Sequence, residues 1–198
     1  MDLTIDALGD KCPVPVVKAK KALGTIDEGT VEMLVDNETS VHNLESLAKS
    51  LKCAVAVEEQ AKDKFSVRIT KDENSVSAAA SEASSNAGTR VVVFPSEVMG
   101  QGNDELGATL VKAFVFSLTQ QDNLPDTLLF YNGGAHLTCE GSPVLDDLKK
   151  LAEAGVEILT CGTCLKFYGL SDKVQVGDVT NMYVIVEKQM EAGVVVRC

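Results

Sequence analysis

The 198-residue sequence has no apolar run near the ~20 residues needed to cross a bilayer as a helix, which argues against a membrane span. Its opening residues, Met1 to Asp6, carry two acids, no basic cluster and no long apolar stretch. No secretory signal is therefore expected there, and the cytoplasm is the expected location. Positive charge is scarce: 18 Lys+Arg stand against 29 Asp+Glu, a net charge of -11. The deficit is uneven, with ten basic and twelve acidic residues up to Lys71 but eight and seventeen from Asp72 onward. An acidic surface repels phosphate backbones, so nucleic-acid binding is not expected. Lys18, Lys20 and Lys21 are the one local basic cluster that runs against this. There is no internal repeat. Gly100-Gln101-Gly102-Asn103 lacks the full dinucleotide-binding spacing and the phosphate-loop lysine, so it reads as a turn and no cofactor is implied.

What is present is cysteine. Cys12, Cys53, Cys139, Cys161, Cys164 and Cys198 make six. Without an export signal, thiol chemistry or metal binding is a better reading than structural disulfides. The segment 72–89 is small, polar and free of aromatic residues. It cannot bury enough apolar surface to fold alone, so it reads as a linker. It leaves a domain at 1–71 and another at 90–198.

In the first domain, Leu3, Ile5 and Ala7 alternate as in a strand. Pro13 and Pro15 suit the first turn of a helix running to Leu23. Val31–Val35 reads as a strand, Ser40 as the cap of a helix reaching Leu51, and Ala54–Val57 with Phe65–Ile69 as a hairpin. The predicted order is βαβαββ, a two-layer α/β domain. The second domain alternates buried strands (Arg90–Phe94, Thr127–Tyr131, Val156–Thr160, Val194–Val196) with helices at about 104–118, 144–154 and 180–190. That alternation predicts a parallel sheet with right-handed crossovers.

Cys12 directly precedes Pro13, at the expected N-cap of the first helix. Free N–H groups and the helix dipole stabilise an anion there, and a thiolate so placed has a lowered pKa. Lys11, Lys18, Lys20 and Lys21 add positive potential. The bland alternative is an inert cysteine beside a proline turn.

Asp6-Ala7-Leu8-Gly9-Asp10-Lys11-Cys12-Pro13-Val14-Pro15 resembles the signature of the TusA/SirA-like family, small sulfur carriers with a Cys-Pro-x-Pro motif. The resemblance spans residues 1–71 and implies that Cys12 carries a persulfide.

Cys161-Gly162-Thr163-Cys164 follows a predicted strand and precedes a turn or short helix at Leu165–Tyr168. Sites in open parallel sheets gather at the carboxyl ends of strands, and a CxxC in this context suggests a redox or thiol-transfer pair. Gly162 is expected to leave room for a partner. Residues 90–198 resemble the DsrE/DsrF-like family, flavodoxin-like proteins of sulfur relays. The resemblance implies that Cys161 is a reactive cysteine, with Cys164 an additional thiol able to resolve or share a persulfide. It also implies a homo-oligomer. The pairing of the two domains is similar to that of sulfurtransferase-like proteins of selenium metabolism.

The functional expectation is a persulfide or selenium carrier with Cys12, Cys161 and Cys164 as its working residues. A sulfur donor such as a cysteine desulfurase and an acceptor protein would be its partners. Three alternatives stay open: a regulatory protein-binding module, a thiol–disulfide oxidoreductase built on Cys161 and Cys164, and a zinc site of His136, Cys139, Cys161 and Cys164. His136 follows Asn132-Gly133-Gly134-Ala135, a permissive loop, and is read as a loop residue before a proton carrier. Cys53 is expected in the core, Cys198 as an exposed terminal thiol and His42 as a solvated side chain.

Overall fold

Leu3 and Ile5, set between Asp2, Thr4 and Asp6, give a strand one covered face, and they form β1 (Asp2–Asp6) of a computed structural model. The structure describes residues 2–11, 13–72, 75 and 88–198, so Cys12 and most of the expected linker lie outside the described residues. Backbone contacts divide the chain into two units, Met1–Ser85 and Asn86–Cys198.

The first unit continues with α1 (Val14–Gly24), β2 (Gly29–Val35), α2 (Glu38–Ser50), β3 (Ala54–Ala61) and β4 (Lys64–Lys71). The sheet runs β1-β2-β4-β3, with β1 parallel to β2 and the other pairs antiparallel. Ile5 pairs with Met33, and Met33 with Val67, so one apolar row crosses three strands. That face is covered by Ala19, Ala22 and Leu23 of α1 and by Val41, Leu44 and Ala48 of α2. The opposite face is polar. There Glu32 accepts hydrogen bonds from the Ser66 hydroxyl (2.7 Å), Arg68 Nε (3.1 Å) and the Thr4 hydroxyl (3.1 Å).

Two local details depart from the sequence reading. Asn37, not Ser40, caps α2: Asn37 Oδ1 accepts the Ser40 N–H at 2.8 Å. Both residue types cap well. The longer helix also gains Glu38 in its first turn, where the dipole favours a carboxylate. Lys71 ends β4 with a buried amine that donates to the carbonyls of Leu23 (3.1 Å), in the last turn of α1, and Ile26 (2.7 Å), just past its end.

The second unit comprises β5 (Arg90–Phe94), α3 (Asp104–Thr119), β6 (Thr127–Phe130), a 3₁₀ turn (Asn132–Thr138), α4 (Leu145–Glu153), β7 (Glu157–Cys161), α5 (Gly162–Tyr168), β8 (Asp178–Thr180), α6 (Met182–Glu191) and β9 (Val194–Arg197). The sheet order is β8-β7-β6-β5-β9, and every pairing is parallel. Val92, Phe94, Leu128, Phe130 and Ile158 meet α3 and α4 on one face, and Phe94 stacks on Phe130 at 4.7 Å. Val91, Val93, Leu129 and Leu159 meet Ile185 of α6 on the other. Burial on both faces explains why these strands read as continuous apolar runs. The result is the all-parallel sheet with helices that the alternation predicts, and it is flavodoxin-like, as the resemblance implies. β8 was not foreseen; Thr180 ends it, and Asn181 then caps α6 by accepting the Val184 N–H at 3.2 Å.

The main chain comes closest at Gly134. A Cβ there would sit 1.9 Å from the Phe94 carbonyl oxygen. Gly134→Ala is expected to destabilise the second unit by about 2–4 kcal/mol, because backbone must shift to admit the methyl. All three tyrosines lie in this unit and the chain has no tryptophan, so tyrosine emission during denaturation measures the loss. In the first unit, the hydrogen bonds from Ser66, Arg68 and Thr4 hold the Glu32 carboxyl below its ordinary pKa. Its stabilisation is therefore present above about pH 4.5 and lost as the pH falls through the lowered value. Glu32→Gln should cost about 0.5–1 kcal/mol at neutral pH and progressively less in acid, as read by urea midpoints.

Candidate functional site

The loop leading to Cys12 is held by its own backbone and two carboxylates. Ala7 N–H donates to the Leu34 carbonyl (2.9 Å), Leu8 N–H to Asp6 Oδ1 (2.9 Å) and Gly9 N–H to Asp36 Oδ2 (2.8 Å). The Asn37 side chain and the Gly9 N–H keep the Asp36 carboxyl below the usual carboxylate range. Two parts of the sequence argument change. Lys18, counted there as free positive potential, lies 2.6 Å from the Asp10 carboxylate and donates to the Asp6 carbonyl. The helix start is also poorer in N–H groups than a helix without proline. Pro13 is its N-cap, Pro13 and Pro15 have no N–H, and Val14 N–H donates to the Lys11 carbonyl at 2.9 Å. Of the other lysines in that argument, Lys11 is exposed beside the helix start, whereas Lys21 lies in the last turn of α1, at the opposite end.

The second cysteine pair lies at the carboxyl edge of the parallel sheet. Cys161 is the last residue of β7 and the N-cap of α5, and it is only 1% exposed, in contact with Leu159 and Ile185. Cys164 lies in the first turn of α5, is partly exposed, and packs against apolar residues on both sides of the helix. Both are free thiols. Burial pushes the Cys164 thiol above its ordinary range, the Asn132 N–H pulls it back, and hydrogen bonding with Cys161 adds to the rise. Gly162 does not leave room for a partner: a Cβ there would meet Val179 Cγ1 of β8 at 3.0 Å.

Asn132 was not singled out by sequence reasoning, although the loop it begins was. It follows β6 with φ +49°, a conformation that asparagine tolerates better than most residues. Its main-chain N–H donates to Cys164 Sγ at 3.0 Å, and its Oδ1 accepts the Tyr168 hydroxyl at 2.9 Å. Cys164 and Tyr168 are four residues apart, so one face of α5 presents both to Asn132. The His136 ring is half-buried against Tyr168, 4.7 Å between centroids, and so belongs to this cluster and not to a free loop.

The remaining cysteines stand apart. Cys139 is buried and its thiol donates to the Ala135 carbonyl at 3.2 Å; burial raises its pKa. Among the described residues, no group of three or more His, Cys, Asp or Glu is placed to hold a metal ion, so His136, Cys139, Cys161 and Cys164 are not gathered as zinc ligands. Cys53 is in the core of the first unit. Cys198 is not an exposed thiol: it packs against the α3–α4 core, its N–H extends the ladder to Val93, and burial pushes its pKa up to about 11. His42 is exposed beside Glu45, and Gly100–Asn103 is the turn that caps α3.

Comparison with known proteins bears on the first unit. Residues 3–71 match the family described as Sulfurtransferase TusA. A putative sulfur carrier protein of Methanocaldococcus jannaschii is 35% identical over 68 residues, which is 34% of this chain and 91% of that protein. A solved SirA-like protein from Desulfitobacterium hafniense is 40% identical over 37% of this chain and 100% of its own, with a TM-score of 0.35. A solved protein of unknown function from Methanobacterium thermoautotrophicum is 23% identical over 56% of this chain and 99% of its own, with a TM-score of 0.43. Through the unit that carries Cys12, the chain belongs to the TusA sulfurtransferase family.

Proposed function

We propose that the protein is a two-site sulfur relay, in which Cys12 carries a sulfane sulfur and the Cys161–Cys164 pair exchanges it. The observation that carries this reading is the family match over residues 3–71, which includes Cys12-Pro13-Val14-Pro15. A pair of free thiols at the carboxyl edge of a parallel sheet in the same chain supports the second site. The resemblance of that second unit to DsrE-like proteins, and of the whole pairing to YedF-like proteins of selenium metabolism, extends the proposal to selenium as an alternative cargo.

The chemistry is redox-neutral. A donor of the cysteine desulfurase class leaves Cys12 as Cys12–S–SH. A thiolate of the second site attacks the terminal sulfur, forming a new S–S bond as the old one breaks. The electron pair and the proton return to Cys12 as a thiol. Tethering both sites in one chain raises their effective concentration relative to separate carriers. A reducing, cytoplasmic compartment suits free thiols. Met182, Val186 and Met190 form an exposed stripe at helical spacing on α6, which supports assembly with further copies.

A competing reading, thiol–disulfide exchange at Cys161 and Cys164, is favoured by two free thiols at CxxC spacing after a strand of a parallel sheet. Intact mass after incubation with a cysteine desulfurase and cysteine separates the two. The parent is expected to gain a reductant-labile increment of about 32 Da per sulfur. Cys12→Ser should not load, and Cys161→Ser/Cys164→Ser should load at Cys12 but pass nothing on. Labelling of the second unit to the parent level in Cys12→Ser would overturn the relay. A loss of about 2 Da confined to Cys161–Cys164, with no sulfur gained, would favour the oxidoreductase.

A further inference from the structure

We propose that Cys164 is the member of the pair that receives sulfur, and that Asn132, latched by Tyr168, is the positioning residue for its sulfur atom. This rests on the relay reading and assigns roles within its second site. Cys161 is 1% exposed and ends a central strand, so an incoming persulfide cannot reach it without opening β7. Cys164 is the accessible thiol.

The sulfur of Cys164 already has a donor aimed at it. Asn132 N–H points to Sγ from 3.0 Å because the residue holds φ +49°, outside the range most side chains adopt. Something must hold it there, and the Tyr168 hydroxyl does so through Oδ1 at 2.9 Å. Tyr168 is itself backed by the His136 ring and by Phe167, at 4.7 and 5.1 Å between centroids. Cys161, Tyr131 and Cys139 are titratable members of the clusters that Cys164 packs with, and Tyr168, backed by His136, stands one turn along α5; Leu129, Ala135, Leu165 and Ile185 make the surroundings otherwise apolar.

One donor serves both halves of the exchange. On receipt, the N–H stabilises the Cys164 thiolate that attacks the terminal sulfur of the donor persulfide. Once Cys164–S–SH has formed, Sγ is neutral and the bond weakens. On release, the next thiolate attacks the terminal sulfur, and Sγ departs again as an anion in front of the same N–H. A lower leaving-group pKa speeds departure.

The test is the pH profile of Cys164 alkylation in the full-length protein, with iodoacetamide as probe and fragment masses to distinguish Cys161 from Cys164. Tyr168→Phe removes the latch and leaves the ring; Asn132→Gly keeps the positive φ accessible and removes the acceptor. Each is expected to raise the midpoint of the profile and slow alkylation at pH 7.5 by about three- to tenfold, as for losing part of a charge-assisted hydrogen bond. The double variant should lose no more than either single variant, because both act through one contact. A residue with only a structural role would lower the unfolding midpoint and leave the alkylation profile in place. Unshifted profiles in both folded variants, or alkylation of Cys161 before Cys164 in the parent, would overturn the assignment. The alkylation needs no sulfur donor. Failure of labelled sulfur to pass from Cys12 in the parent would therefore defeat the relay, while the profile alone decides on Asn132.

Discussion

The second unit is organised by one close approach of backbone to backbone. After β6 the chain folds back over the end of β5: Tyr131 N–H donates to the Phe94 carbonyl at 3.2 Å, and Gly134 passes over the same oxygen with no room for a side chain. The 3₁₀ turn that begins there is fixed at its far end as well, where the Thr138 and Thr160 hydroxyls meet at 2.9 Å on β7. With both ends pinned to neighbouring strands, Asn132 is forced to the edge of the sheet facing α5. Within that pinned turn Asn132 takes φ +49°, the Tyr168 hydroxyl holds its side chain, and its N–H meets Cys164.

The cysteine pair then reflects two opposing physical effects. Burial favours neutral thiols, whereas a fixed N–H favours the anion at one of them. The two cysteines are unequal: Cys161 is buried, whereas Cys164 is partly exposed and receives the Asn132 N–H. A CxxC spacing on its own would not have separated them. The first unit holds the loop before Cys12 differently: the Asp36 carboxylate fixes the backbone at Gly9 and the Asp10 carboxylate engages Lys18.

Much of the architecture was legible because it rests on periodicity. Apolar runs such as Val91–Phe94 and Thr127–Phe130 identified strands covered on both faces, and the two-residue alternation in Leu3 and Ile5 identified a strand covered on one. The motif around Cys12 pointed to a family that the comparisons then supported for residues 3–71. What stayed hidden depends on contacts between distant residues. β8 has three residues at the sheet edge, too few for a period. The Asn37 cap competed with an equally suitable Ser40 three residues on, and packing decided between them. Cys198 looked terminal and therefore exposed, but strand β9 draws it along the ladder onto the core. Asn132 and Tyr168 are 36 residues apart in sequence, and no local pattern announces that they touch.

The buried amine of Lys71 has a consequence for the evolutionary history of such chains. It closes β4 onto the end of α1, and β4 lies between β2 and β3. Among the described residues, the core of the first unit lies before this clasp, so a gene cut just after it would still encode that four-stranded sheet with β4 held. The Methanocaldococcus relative, matched along 91% of its length by this unit alone, has that free-standing form. Recombination could therefore append a second domain beyond Lys71 without disturbing the first.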